Sequence, residues 1–183
     1  MHTEDFLRHV PSPIALVGNG RLIGPVGRYI DSYATIIRFN AFELDGYEAW
    51  CGARLTHWCT FGDTTTNPGL PRRHRRGLVP FSPFTPAAAE SANIKSHFRR
   101  RMLFAAKDRL RNLFPRPSTG FALAMLLEDL GHRADLFGFD GFRSGHYFDA
   151  AHKHDRSHSR LELEFLISRP GFRVFSPCPT ASA

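Results

Sequence analysis

The chain predicts an α/β fold, a single domain whose mostly parallel sheet is flanked by helices. Three observations carry this. Ile14-Ala-Leu-Val17 is an apolar run that passes straight into Gly18-Asn19-Gly20, as a buried strand does when it ends in a tight turn. Two further runs, Thr35 to Phe39 and Ala134 to Phe139, stop in the same manner, at Asn40 and around Gly138 and Gly141. Segments with helical spacing lie between and after them, and this alternation is the pattern of parallel strands joined by crossovers.

The elements follow in order. Residues 13–18 read as the first strand. Residues 20–30 read as a turn and a helix made irregular by Gly24, Pro25 and Gly27. Thr35 to Phe39 is a β-branched-rich second strand, and Leu55 to Phe61 a third. Residues 62–86 are loop-like, with five prolines and the basic run Arg72-Arg-His-Arg-Arg76. Ala87 to Phe114 has helical character, because Phe98, Met102, Ala106, Leu110 and Leu113 share one face. Pro115 and Pro117 end it. Ser118-Thr119-Gly120 then introduces an apolar helix from Phe121 to Leu130 that stops at Gly131. Ala134 to Phe139 is a strand, 142–160 a polar, histidine-rich stretch, Glu162 to Ser168 a closing helix and Phe172 to Phe175 a last strand.

With 183 residues, 42% of them hydrophobic and 22% charged, the chain can bury a core and reads as soluble and globular. The formal net charge of +7 favours anionic partners: nucleotides, phosphorylated glycans, nucleic acid or an acidic membrane surface. Cys51, Cys59 and Cys178 form no C-x-x-C pair and read as buried thiols. No apolar run approaches the roughly 18 residues of a membrane span, and the first residues carry charges rather than an apolar leader core. A cytoplasmic protein is expected, with peripheral contact to an anionic membrane surface left open.

Four blocks in order resemble the animal-type sialyltransferases. Val17-Gly-Asn19, Ile30-Asp-Ser32, Arg38-Phe-Asn40, Gly46-Tyr-Glu48 and Gly52-Ala-Arg54-Leu-Thr-His57 are similar to the large sialylmotif. Pro117-Ser-Thr-Gly-Phe121 with Asp135-Leu-Phe-Gly-Phe139 is similar to the small one. Gly145-His-Tyr-Phe-Asp149 resembles motif III, and His158 with the acids after it resembles the last motif. The resemblance implies a Rossmann-like, GT-A-variant fold and an inverting, metal-independent transfer of sialic acid, or a related keto-sugar, from a CMP-sugar to the hydroxyl of a glycan or glycolipid. It implies one glycosyltransferase domain over residues 1–183, with 62–114 as a variable acceptor-side region. CMP-sialic acid is then the donor substrate, and neither a cofactor, a metal nor a nucleic-acid partner is expected.

The chain departs from the family at four places. Ile14 and Gly131 stand where the family usually has two bridged cysteines, which suits a reducing compartment and a compact bacterial-type member. Gly20 stands where a serine is usual. The family's histidine precedes a glutamate by five residues, whereas Glu162 and Glu164 lie four and six after His158.

The chemistry asks for neutral and cationic donors to a phosphodiester. Glycines 18 and 20 let the backbone approach an anion with N–H groups turned towards it. Asn19 and Asn40 offer amides to phosphate and ribose oxygens, and Ser118, Thr119 and Gly120 sit where a helix begins. Asn40 also reads as a turn residue, and Ser118 as a plain N-cap. By resemblance, His158 is the base for the acceptor hydroxyl and His146 the donor to the leaving phosphate. His146, Asp149, His152, His154, Asp155 and His158 read alternatively as metal ligands, although their spacing fits no known site. Two other functions compete. Gly18-x-Gly20-x-x-x-Gly24, with Arg38 poised for a 2′-phosphate, suggests an NADP-binding oxidoreductase. The basic charge alone suggests a nucleic-acid-binding module.

Overall fold

A computed structural model describes residues 7–40, 42–59, 108–114, 117–151 and 159–175. Five strands, β1 (Ile14–Val17), β2 (Thr35–Phe39), β3 (His57–Cys59), β4 (Ala134–Phe137) and β5 (Phe172–Phe175), form one sheet in the order β3-β2-β1-β4-β5. Every pairing is parallel; Ile14 lies opposite Thr35 on one side and Ala134 on the other. All residues of β1, β2 and β4 are buried; β1 is wholly apolar, while β2 and β4 each bury one charged side chain, Arg38 and Asp135, among mostly apolar ones.

Alternation along the strands splits the core in two. Ile14, Leu16, Ile37, Phe39, Ala134 and Leu136 face α3 (Thr119–Asp129) and Leu166 of α4 (Ser159–Ile167). Ala15, Val17, Ile36 and Phe137 face the other side, towards Ile30 of α1 (Gly27–Asp31) and Cys51 of α2 (Glu48–Cys51). Helices therefore cover both faces of a parallel sheet, the arrangement such sheets require.

Two local details sharpen the sequence reading. The turn and helix expected over 20–30 divide at Val26: residues 20–26, with Gly24 and Pro25, are nonhelical, and the helix runs Gly27–Asp31. A Cβ on Gly27 would stand 1.9 Å from the Glu48 carbonyl oxygen, so this glycine is what lets α1 touch α2. α2 itself, four residues long, lies in a stretch to which no element had been assigned. The apolar helix begins slightly earlier than expected and ends as expected. Gly131, at φ 84, closes it with a Schellman pair: Gly131 N–H to Glu128 O at 2.8 Å and His132 N–H to Leu127 O at 2.9 Å. The loop over 62–86, most of the helix over 87–114, the basic run at 72–76, His152, His154, Asp155, His158 and Cys178 lie outside the described residues. No helix among the described residues is long and apolar enough to cross a membrane.

Candidate functional site

Strand order reverses at β1, whose neighbours β2 and β4 lead away on opposite sides. In open parallel sheets the crevice for a ligand opens there, beyond the carboxyl ends of the strands. A cavity of about 330 Å³ occupies that place. Its lining includes Gly18, Asn19 and Gly20 after β1, Asn40 after β2, Ser118, Thr119 and Gly120 at the start of α3, and His146 from the loop beyond β4. The fold thus gathers eight of the nine sequence-predicted site residues in one place. The ninth, His158, lies outside the described residues.

How these residues act locally differs in part from expectation. The N–H groups of Gly18 and Gly20 do not turn towards a ligand. They donate to Phe137 O at 2.7 Å and Gly138 O at 3.0 Å. A Cβ on Gly18 would stand 2.7 Å from Gly138 O, and one on Gly138 (φ 66) would stand 2.7 Å from Gly18 O. The glycines are there so that two backbones can lie against each other across the switch point. A Cβ on Gly20 would also stand 2.6 Å from Asp140 Oδ1, so a carboxylate occupies the space a serine side chain would need.

Asn19 Nδ2 donates to Phe39 O at 3.1 Å, which orients the amide between the ends of β1 and β2. Asn19 O accepts from Tyr147 N–H at 2.8 Å, tying the loop after β1 to the residue after His146. Asn40 has a left-handed backbone at φ 50, a conformation asparagine tolerates better than other non-glycine residues. Phe142, another cavity residue, is held at φ 58, where a bulky side chain costs about 1–2 kcal/mol.

Ser118 is the N-cap of α3: its hydroxyl accepts from Phe121 N–H at 3.2 Å. Its own N–H donates to Glu162 Oε1 at 2.8 Å, so a carboxylate already meets the positive end of this helix. Glu162 is 4% exposed and lines the cavity, whereas Glu164 is exposed and pairs with Arg160 at 2.7 Å. Of the two acids after His158, the structure therefore turns Glu162 inward, four residues on. Its neighbours Leu163 and Leu166 share the buried side of α4, a pattern that could have singled it out.

Asp140 was not predicted either. Its carboxylate accepts from Phe142 N–H at 2.9 Å, from Ser144 N–H at 3.0 Å and from the Ser144 hydroxyl. The charged residues of the lining are Asp140 and Glu162; no Lys or Arg is among the described residues that line it. The remaining polar side chains of the lining are Asn19, Asn40, Ser118, Thr119, Ser144 and His146. Among the described residues no group of three or more His, Cys, Asp or Glu is placed to hold a metal ion.

Several residues of the large-motif resemblance build scaffold instead. Arg38 is 1% exposed and donates to the carbonyls of Cys51 at 2.7 Å, Gly52 at 3.2 Å and Arg54 at 2.9 Å. Burial lowers its pKa. Asp31 accepts from the N–H groups of Ala53 and Arg54, each at 2.9 Å. Arg38 therefore cannot take a 2′-phosphate, which removes the residue on which the NADP reading relied.

Comparison with known proteins comes from structure alone. No protein-family profile and no curated protein sequence matches the chain. A crystal structure of a mammalian sialyltransferase in complex with Gal-beta-1-3GalNAc-ortho-nitrophenol matches with a TM-score of 0.57 at 19% identity, over 90% of this chain and 69% of that one. A second mammalian sialyltransferase structure matches with a TM-score of 0.56 at 21% identity, over 90% and 68%. The fold of this chain is similar to that of mammalian sialyltransferases.

Proposed function

We propose that the chain is a glycosyltransferase that moves sialic acid, or a related keto-sugar, from a CMP-sugar to a glycan hydroxyl, with inversion and without a metal. Its sheet would then be a Rossmann-like, GT-A-variant one. The observation that carries this reading is convergence. Residues 18–20, 40, 118–120 and 146, drawn from three separate blocks, line one cavity in a fold similar to that of sialyltransferases.

Asn40 and the residues opening α3 hold the nucleotide, with Asn19 fixing the loop between them. In the transfer, the bond from the anomeric carbon to phosphate oxygen breaks as the acceptor oxygen bonds to the opposite face of that carbon. The transition state is oxocarbenium-like. His158 takes the hydroxyl proton, and His146 donates to the phosphate oxygen that leaves with CMP. A phosphate so held departs readily, hence the proposal of a metal-free reaction. The mammalian neighbour holds a galactosyl glycan, and a glycan or glycolipid with a terminal galactose is the acceptor class we infer here. Substitution of both usual cysteines by Ile14 and Gly131 supports a compact, bacterial-type member working in the cytoplasm.

The test is a thermal-shift comparison of CMP, NADPH and RNA, followed by product analysis with CMP-sialic acid and a panel of galactosides. Stabilisation by CMP alone and a sialylated product support the reading. Stabilisation by NADPH or RNA without CMP binding rejects it.

A further inference from the structure

His146 comes from a stretch with little regular structure. Between the end of β4 and residue 151 the chain has no helix and no strand, only an isolated bridge from His146 to Asp149. Bonds between side chains and backbone must therefore shape the approach to His146, and one side chain supplies three of them. The Asp140 carboxylate, 8% exposed, accepts from Phe142 N–H at 2.9 Å, from Ser144 N–H at 3.0 Å and from the Ser144 hydroxyl. Ser144 Oγ accepts in turn from Arg21 N–H at 3.0 Å. The turn after β4 is thus closed on itself and fastened to the loop after β1 just before His146. Just after it, Tyr147 N–H donates to Asn19 O at 2.8 Å, and Glu43 N–H donates to the Tyr147 hydroxyl at 3.3 Å. His146 is anchored on both sides.

The Asp140 anchorage is the costly one. It buries a carboxylate whose hydrogen bonds among the described residues all come from neutral groups of its own turn. It holds Phe142 at φ 58, a conformation that a bulky residue keeps only where its surroundings enforce it. It also needs the empty space at Gly20, whose Cβ would stand 2.6 Å from Asp140 Oδ1. A plain turn needs one acceptor. Here Oδ1 meets Phe142 N–H while Oδ2 meets both donors of Ser144, so only a carboxylate serves every donor.

We propose that Asp140 is the positioning residue for His146: by closing the turn over 140–144 and tying it through Ser144 to the loop after β1, it sets where the imidazole stands in the cavity wall. This rests on the reading above, in which His146 donates to the departing phosphate, and Asp140 acts through His146 alone.

The test is steady-state transfer from CMP-sialic acid to a galactoside by the full chain. Calorimetric CMP affinity and the proton–nitrogen NMR signals of the His146 imidazole are read beside it, because neither depends on turnover. Asp140→Asn keeps the size of the side chain but sets an NH2 group against one of the two backbone N–H groups. Its kcat should fall about tenfold or more, the scale of a misplaced catalytic group. CMP affinity should stay level or rise, since a negative charge leaves the cavity wall. The shift that CMP causes in the His146 signals should shrink. His146→Ala should lower kcat as well, and Asp140→Asn added to it should cost little more. Ser144→Ala, a milder change that carries the test if Asp140→Asn does not fold, should lower kcat less and be absorbed by His146→Ala in the same way. A wild-type kcat in the Asp140 and Ser144 variants, or losses that multiply with that of His146→Ala, overturns the positioning role and leaves the CMP-sugar reading standing. A loss of CMP affinity as large as the loss of kcat overturns it too, because Asp140 would then support the donor site as a whole. If the wild type binds CMP but transfers no sugar, the NMR signals decide: a CMP-induced shift undiminished in Asp140→Asn overturns the role, and a diminished one upholds it. A wild-type chain that does not bind CMP overturns both this inference and the reading beneath it.

Discussion

Asn40 joins a left-handed backbone to a side chain at the cavity, and substitutions can separate the two contributions. Asn40→Gly should leave stability within a few tenths of a kcal/mol, since glycine accepts the φ of 50. It should still weaken CMP binding roughly tenfold or more by removing a hydrogen bond to a charged or ribose group. Asn40→Ala should lose the same affinity and about 1 kcal/mol of stability besides. Titration and denaturant melts read the two effects, and unchanged CMP affinity in both variants would remove Asn40 from the donor site. His158→Ala should abolish transfer while CMP affinity stays near that of the wild type. A variant that turns over normally would exclude His158 as the base. Gly20→Ser, which brings in the residue that the resembled large sialylmotif usually carries at this place, should here destabilise by about 1–3 kcal/mol. Its Cβ would fall 2.6 Å from Asp140 and 2.7 Å from Gly138 O. A melting temperature equal to that of the wild type would mean that this turn is softer than its contacts imply.

Among the elements, α3 shows how capping and site geometry depend on the same residue. Ser118→Ala removes the N-cap and should cost about 1 kcal/mol, measurable by chemical denaturation; no loss would show that the Glu162 bond to Ser118 N–H suffices to hold the helix end. Strand β1 was legible as a continuous apolar run ending in glycine, and β2, β4 and β5 as short, mostly apolar runs bounded by turn residues. The start and stop of α3 were legible from Ser118 and Gly131, residues whose local chemistry decides a helix end. α2 was not, because four residues carry no periodicity and their helical state depends on packing against Gly27. The site was legible as a set of positions, whereas its wiring was not. Nothing local in Gly18-Asn19-Gly20 says that its amides are taken by Phe137 and Gly138, more than a hundred residues away. Asp140 escaped notice for a similar reason, since its value lies in the space left by Gly20.

For the molecule as a whole, pH is the most direct probe. His57, on the edge strand β3, is 7% exposed, and burial pushes its pKa down to about 4. In the unfolded chain it titrates near 6.5. Between those values the unfolded state binds more protons than the folded one, so folding stability rises with pH across this window. Acidification from above 6.5 to 4 should therefore remove up to about 3 kcal/mol from this group. His57→Gln should flatten that part of the stability curve; a wild-type slope in the variant would assign the effect to other groups.

The backbone contact between Gly18 and Gly138 has a consequence for motion. In many open sheets the crevice at the switch point can widen as the two halves flex, but here hydrogen bonds from Gly18 and Gly20 fasten the loop after β1 to that after β4. Ligand entry and exit must then be accommodated by the side walls, residues 140–146 and the start of α4, over a floor that stays shut. Amide hydrogen exchange makes this visible. Gly18 and Gly20 should exchange slowly with or without CMP, and the protection gained on binding should concentrate in 118–120 and 140–146, leaving the floor as a fixed datum against which the rest of the site closes.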